Sequence, residues 1–242
     1  MSISRREALG TLAAVSGVWL SAVEAAAQAG SPPAGAAKAP AQHAPAPLPF
    51  DPKKLRGLSE RMIASHHDNN YAGAVNNLNK VRDELGRVTK DTPAFVVGGL
   101  RERELTFMNS VILHELYFQN LGGPGRPDGA APSVLGGAFG SLARWEELFR
   151  ATAASLAGGS GWVVLAYDFH GGRLQICWSG NHTQALAFGA PLLVLDMYEH
   201  AYQIDYGAAA SKYVDAFFAN LSWDEVNARL ARADKAAALL RA

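Results

Sequence analysis

The chain has 242 residues, 49% hydrophobic and 18% charged, which is enough apolar side chain for a sizeable core and rules out a wholly disordered polymer. Lys plus Arg and Asp plus Glu both total 22, so no net charge draws it to nucleic acid or to an acidic membrane surface. Its one cysteine, Cys177, excludes an internal disulfide and any cysteine-based zinc or iron–sulfur site, leaving the seven histidines as the residues to follow.

Residues 1–29 read as an address. Ser4-Arg5-Arg6 precedes a mildly apolar run from Ala8 to Val23, and small residues lead to Ala27-Gln28-Ala29. A charged start, an apolar middle and an A-x-A-like end make a secretory signal, and the paired arginines point to the twin-arginine route. The expectation is a periplasmic or secreted protein with no membrane association once the signal is removed. Residues 30–47 are nearly all Ala, Pro, Gly and Ser and read as a spacer in which His43 is solvated.

From Leu48 onward the patterning is that of a folded protein. Ser59 can cap a helix whose apolar positions include Ile63, His67, Tyr71, Val75, Leu78 and Leu85, at helical spacing. A second helix is expected from Leu105 to Leu121, ending at Gly122-Gly123-Pro124, and the two form an antiparallel hairpin over 48–123. Gly123 to Pro132 reads as a linker. The stretch 133–242 opens with an amphipathic helix over Phe139 to Leu156. Strands follow at Gly161–Tyr167 and Arg173–Trp178, joined by a hairpin at His170-Gly171-Gly172. Leu192 to Leu195 reads as a short buried strand, and Tyr198–Tyr206, Lys212–Leu221 and Trp223–Leu240 as helical. The expected fold is α+β: a helical hairpin domain, then a domain with a small antiparallel sheet covered by helices. No P-loop, dinucleotide-binding fingerprint or nucleophile elbow occurs in the sequence.

His66, His114, Asp196 and His200 are the candidates for chemistry. Asp196 and His200 fall one turn apart if Asp196 leads from a strand into a helix, and His66 and His114 lie on the two helices of the hairpin. Three imidazoles and one carboxylate suit iron or manganese, and also zinc. A histidine on an apolar helix face also serves as an ordinary satisfied core residue.

Around these four residues the chain resembles the iron/manganese superoxide dismutases, from about Leu48 to Leu230. The stretches carrying the resemblance include Leu48-Pro49-Phe50, His66-His67, Val75-Asn76-Asn77-Leu78-Asn79 and His114-Glu115-Leu116-Tyr117-Phe118. Phe139-Gly140-Ser141 and Gly159-Ser160-Gly161-Trp162 also match, as does Tyr213-Val214-Asp215-Ala216-Phe217-Phe218. The most specific is Leu195-Asp196-Met197-Tyr198-Glu199-His200-Ala201-Tyr202, close to the family's D-x-W-E-H-A-Y. The resemblance implies one iron or manganese ion per subunit held by His66, His114, Asp196 and His200, superoxide as substrate, and a homodimer or homotetramer.

The resemblance also implies outer roles, and here the sequence departs from the family. The family's glutamine that hydrogen-bonds metal-bound solvent corresponds to His182, and its alternative location on the second helix to Ser110. A tyrosine at the mouth of the substrate funnel is replaced by Ala74, and Tyr71, one turn earlier, is the candidate substitute beside the alternative that it packs in the core. A His–Tyr contact across the dimer is replaced by Asn70 and Gln203, two amides that could preserve a hydrogen bond. Glu199 corresponds to the residue that reaches the partner's ligand. Phe118 and Tyr198 stand where tryptophans are usual, and Trp162 keeps its aromatic position. The expected activity is superoxide dismutation. A metal-binding homologue with altered redox activity and a metal-free structural paralogue are the alternatives.

Overall fold

A computed structural model describes residues 42–184 and 186–241. The expected signal and most of the spacer lie outside them. Ser59 caps the first helix, α1 (Glu60–Ser65), accepting from the Met62 amide at 3.1 Å. Instead of one uniform helix, α1 passes into a π-helical turn over His66–Tyr71 before α2 (Ala72–Leu85) resumes. Apolar spacing cannot reveal an i→i+5 turn, because the residues on either side remain helical. The turn starts at His66 and shifts which residues face inward after it.

The helix α3 runs from Ala94 to Gln119, well before the expected start at Leu105. Gly98 and Gly99 weaken the signal there, and Phe95, Val96 and Leu105 are exposed, so no apolar stripe marks its first turns. The helices α2 and α3 form an antiparallel hairpin: Tyr71 Oη bonds Glu115 Oε1 at 2.8 Å at one end, and Arg82 approaches Glu104 at 3.8 Å at the other.

The Gly/Pro-rich stretch after the hairpin is only partly a loop. Helix α4 (Ala131–Phe139) begins with Pro132 in its first turn, where a missing N–H costs nothing. The single helix expected over Phe139–Leu156 is broken at Gly140, whose φ of +89° suits glycine, and restarts as α5 (Leu142–Ala154) with Ser141 as its cap.

The sheet has three antiparallel strands, β1 (Trp162–Asp168), β2 (Arg173–Ser179) and β3 (Gly189–Asp196), in the order β2-β1-β3. Helices pack on it, α3 and α8 against β3 and α5 against β1. Every residue of β1 is therefore buried. The β1–β2 turn is held by Asp168, whose carboxylate accepts from the His170 and Gly171 amides at 3.0 Å. The strand β3 is longer than the expected Leu192–Leu195 and carries a register shift, Leu165 facing Leu193 but Ala166 facing Pro191.

Tyr198–Tyr206 is not one helix. A 3₁₀ turn (Glu199–Ala201) gives way at Tyr202, φ −144°, to the single turn α6 (Gln203–Tyr206). Helices α7 (Ala210–Ala219) and α8 (Trp223–Arg241) complete the chain. Among the described residues, no helix is long and apolar enough to cross a membrane.

Candidate metal centre

Asp196 is the last residue of β3 and is paired with Trp162, the first of β1. Gly161 makes that edge possible: its φ is +152° and a Cβ there would collide with the Ser179 carbonyl. After Asp196 the chain turns sharply. The Met197 amide bonds the Gly161 carbonyl at 2.9 Å, and the Tyr198 amide donates to Asp196 Oδ1 at 2.8 Å. This turn brings His200 back beside the same carboxylate, although no helix joins the two.

Asp196 Oδ2 lies 3.1 Å from His66 Nε2, 3.3 Å from His200 Nε2 and 3.6 Å from His114 Nε2. The four ligand atoms all fall within 4.8 Å of one another, and His66, His114 and Asp196 are buried. His114 Nδ1 donates to the Ser110 carbonyl one turn back in α3 at 2.6 Å, which leaves its Nε2 lone pair facing the others. Neither His114 Nε2 nor His200 Nε2 has a hydrogen-bond partner, and both are sealed from solvent.

Leaving buried ring nitrogens unpaired is costly unless something else binds them. A first-row metal fits. Donors about 2.1 Å from a common centre and 90–120° apart stand about 3.0–3.6 Å from one another. Protonation agrees. Burial holds His66 below the ordinary imidazole range and carries His114 down to about 3, so both are neutral at pH 7. Burial alone would raise Asp196, but the imidazoles around it, His200 foremost, hold it well below the usual carboxylate range. Neutral rings and an ionised carboxylate are the forms a cation takes as ligands.

Rings close the site. His66 sits 5.2 Å from Tyr117 and 5.0 Å from Phe118, centroid to centroid, and Tyr198 stacks 5.3 Å from His200. Behind the carboxylate, the Tyr213 hydroxyl donates to the Asp196 carbonyl at 2.7 Å and lies 3.1 Å from that of Tyr117. Residue spacing gave no hint of this backing pair.

A cavity of about 280 Å³ opens onto His114 and His200, lined also by Asn69, Asn70, Gly73, Ala74, Asn77, Phe107, Ser110 and His182. His182 packs against Tyr198 at 4.8 Å with nearly parallel rings and accepts from Trp162 Nε1–H on its Nδ1 at 3.0 Å. Burial lowers its pKa, so the ring is neutral, and with Nδ1 accepting, its one proton sits on Nε2. Trp162 therefore sets the tautomer of His182, a role beyond that of an aromatic wall. Tyr71 is directed elsewhere. It is 1% exposed, and its hydroxyl donates to Glu115 and accepts from the Ala46 amide, both at 2.8 Å. Burial, with Glu115 alongside, pushes the phenol up to about 12. Tyr71 is thus a core residue and is not among the residues lining the cavity, so of the two readings of Tyr71 the structure favours packing in the core over substitution for the funnel tyrosine. The π-helical turn that ends at Tyr71 is the physical reason: it breaks the simple one-turn relation between Tyr71 and Ala74. Asn70 is half-buried in the cavity wall, while Glu199 and Gln203 are exposed, with side chains that engage no other described residue.

Residues 127–229 match the family model described as the C-terminal domain of iron/manganese superoxide dismutases. Over 188 residues the chain is 48% identical to the superoxide dismutase [Fe] of Cupriavidus metallidurans, covering 77% of this chain and 95% of that protein. The superoxide dismutase [Mn] 1 of Halobacterium salinarum is 36% identical over 194 residues, 77% of this chain and 94% of its own. The superoxide dismutase [Fe] of Saccharolobus solfataricus is 35% identical over 194 residues, 76% and 91% respectively.

Proposed function

The chain belongs to the iron/manganese superoxide dismutases, and from that premise we propose that His66, His114, Asp196 and His200 are the protein ligands of its metal ion. Its reaction converts two superoxide radicals to dioxygen and hydrogen peroxide. Iron or manganese held by these four residues would supply the one-electron redox chemistry that dismutation requires. The observation that carries the ligand assignment is the convergence of three Nε2 atoms on Asp196 Oδ2.

The protein's own contribution is electrostatic and positional. A single carboxylate leaves a multivalent cation partly uncompensated, and no lining residue of the cavity is acidic, so an anion is drawn inward. His182, one of the lining residues, keeps its Nε2–H as a donor, held by Trp162 on one side and Tyr198 on its face. Elemental analysis of the purified protein, with superoxide consumption before and after chelation and after reloading with each metal, tests the assignment. One ion per subunit and activity that follows it are expected; a chain that stays empty with iron and manganese overturns it.

His182→Ala is expected to keep its metal and lose about 10- to 100-fold in rate, while His182→Gln, which also donates, keeps most of it. Equal rates for the two would remove the donor from the mechanism.

The working unit we propose is a homodimer built on Glu199, Asn70 and Gln203. Among the described residues, the exposed Glu199 and Gln203 side chains have no partner, and Gln203 is followed by exposed Ile204. Gln203→Ala should shift the monomer–dimer equilibrium toward monomer by about tenfold, the cost of leaving a cross-subunit amide unpaired. Sedimentation equilibrium reads this, and an unchanged dissociation constant would take Gln203 out of the interface. On the reading of Arg5-Arg6 and Ala27-Gln28-Ala29 we further propose export to the periplasm by the twin-arginine route. Replacing both arginines by lysine should leave the protein in the cytoplasmic fraction.

A further inference from the structure

The last residues of the expected spacer are docked on the folded protein. They are held at two points. The His43 amide donates to Asn79 Oδ1 at 2.9 Å, and the His43 carbonyl accepts from Asn79 Nδ2 at 2.8 Å. Three residues on, the Ala46 amide donates to Tyr71 Oη and the Ala46 carbonyl accepts from His67 Nε2–H, both at 2.8 Å. The sequence prepares this strap. Ala46 stands between Pro45 and Pro47, each with a fixed φ, and a residue before proline is already biased to extended backbone. Little conformational entropy is therefore lost on docking.

The anchors lie on both sides of an unusual junction. His67 and Tyr71 belong to the π-helical turn and Asn79 to α2, so the strap bridges a rarely populated turn and the helix that follows it. His67 directly follows His66. Tyr71 carries the contact across to α3, where its hydroxyl donates to Glu115, the residue directly after His114. The His67 ring lies 5.2 Å from that of Tyr71 and 5.5 Å from that of Phe118, which in turn faces His66 at 5.0 Å. We propose that residues 43–47 form a strap that positions His66 and His114 for the metal, an inference that rests on the ligand assignment above. With the strap docked, the turn that starts at His66 and the α3 segment that carries His114 are tied to one short extended segment. With it undocked, Tyr71 and His67 each lose a partner, and the turn is free to relax toward ordinary helix.

Ala46→Pro deletes the N–H that Tyr71 accepts, and Ala46→Ser keeps it as the control. In the full chain loaded with iron, release of the metal to EDTA should be about 3- to 10-fold faster in the proline variant and unchanged in the serine one. Asn79→Ala, which frees His43 at the other end of the strap, should act in the same direction. Amide hydrogen exchange separates positioning from general loosening: protection should fall over residues 66–75 and around Glu115 and stay unchanged in the sheet. Unchanged release and unchanged exchange in Ala46→Pro and Asn79→Ala would overturn the proposal. So would a loss of protection spread evenly over the chain, or a serine variant that behaves like the proline one. A wild-type protein that takes up neither iron nor manganese would refute the ligand assignment instead, and exchange over residues 66–75 in these variants would still decide whether the strap holds the turn.

Discussion

Asp196→Asn should empty the centre and abolish turnover while leaving the fold close to intact. The carboxylate is the only negative charge in the cluster, and its Oδ2 is the point on which three ring nitrogens converge. An amide keeps the shape and can still accept from the Tyr198 amide through its oxygen, so the turn that follows β3 survives. What it loses is charge. Outer partners of a ligand typically cost 10- to 100-fold in affinity or activity, and loss of the ligand itself should exceed that, about 10³-fold or more. Elemental analysis should find well below one ion per subunit, and superoxide consumption should fall to background. The apo forms should unfold at similar temperatures. A variant that still carries a full complement of metal would show that the cluster closes without its acid.

The second large effect is expected far from the cavity mouth. Arg229→Ala should cost about 3–5 kcal/mol, because Arg229 lies buried in α8, 4% exposed, with all five N–H donors engaged. Its Nη1 bonds Asn120 Oδ1 and the Leu192 carbonyl at 3.2 Å. Its Nη2 bonds the Leu116 carbonyl at 3.1 Å and Gln119 Oε1 at 2.9 Å. Asn120 in turn accepts from the Val194 amide at 2.9 Å. One guanidinium therefore ties the last turn of α3 to β3, and these are the two elements that carry His114 and Asp196. Removing it strands several buried acceptors, including carbonyls that a helix end leaves open. In a domain of this size the cost corresponds to a fall in Tm of about 6–20 °C, measurable by calorimetry. Arg229→Lys should recover little, since an ammonium cannot reproduce the fork. A shift under about 2 °C would mean that the acceptors find water instead.

Much of the architecture was legible in one dimension because its signals are local. Ser59 as a cap, the Asp168–Arg173 hairpin and the apolar run of β3 each depend on residues a few positions apart. The four proposed ligands were legible for another reason: their types and their matching to a family pattern survive without any geometry. The misreadings have two causes. Glycine and proline near residues 98, 132 and 140 suppress helical patterning, yet α3 and α4 form because tertiary packing outweighs weak propensity. The π-helical turn at His66–Tyr71 leaves no mark in hydrophobic periodicity at all.

By itself the sequence determined the α+β class, the four side chains proposed to hold the metal and their nitrogen and oxygen chemistry, because these follow from residue type and local pattern. Only the tertiary structure decided which ring nitrogen each histidine presents and that Tyr71 turns into the core. Those outcomes depend on partners such as Trp162, Glu115 and the carbonyl of residue 110, and for most of them the chain must fold back over tens of residues before the hydrogen bonds that choose between them can form.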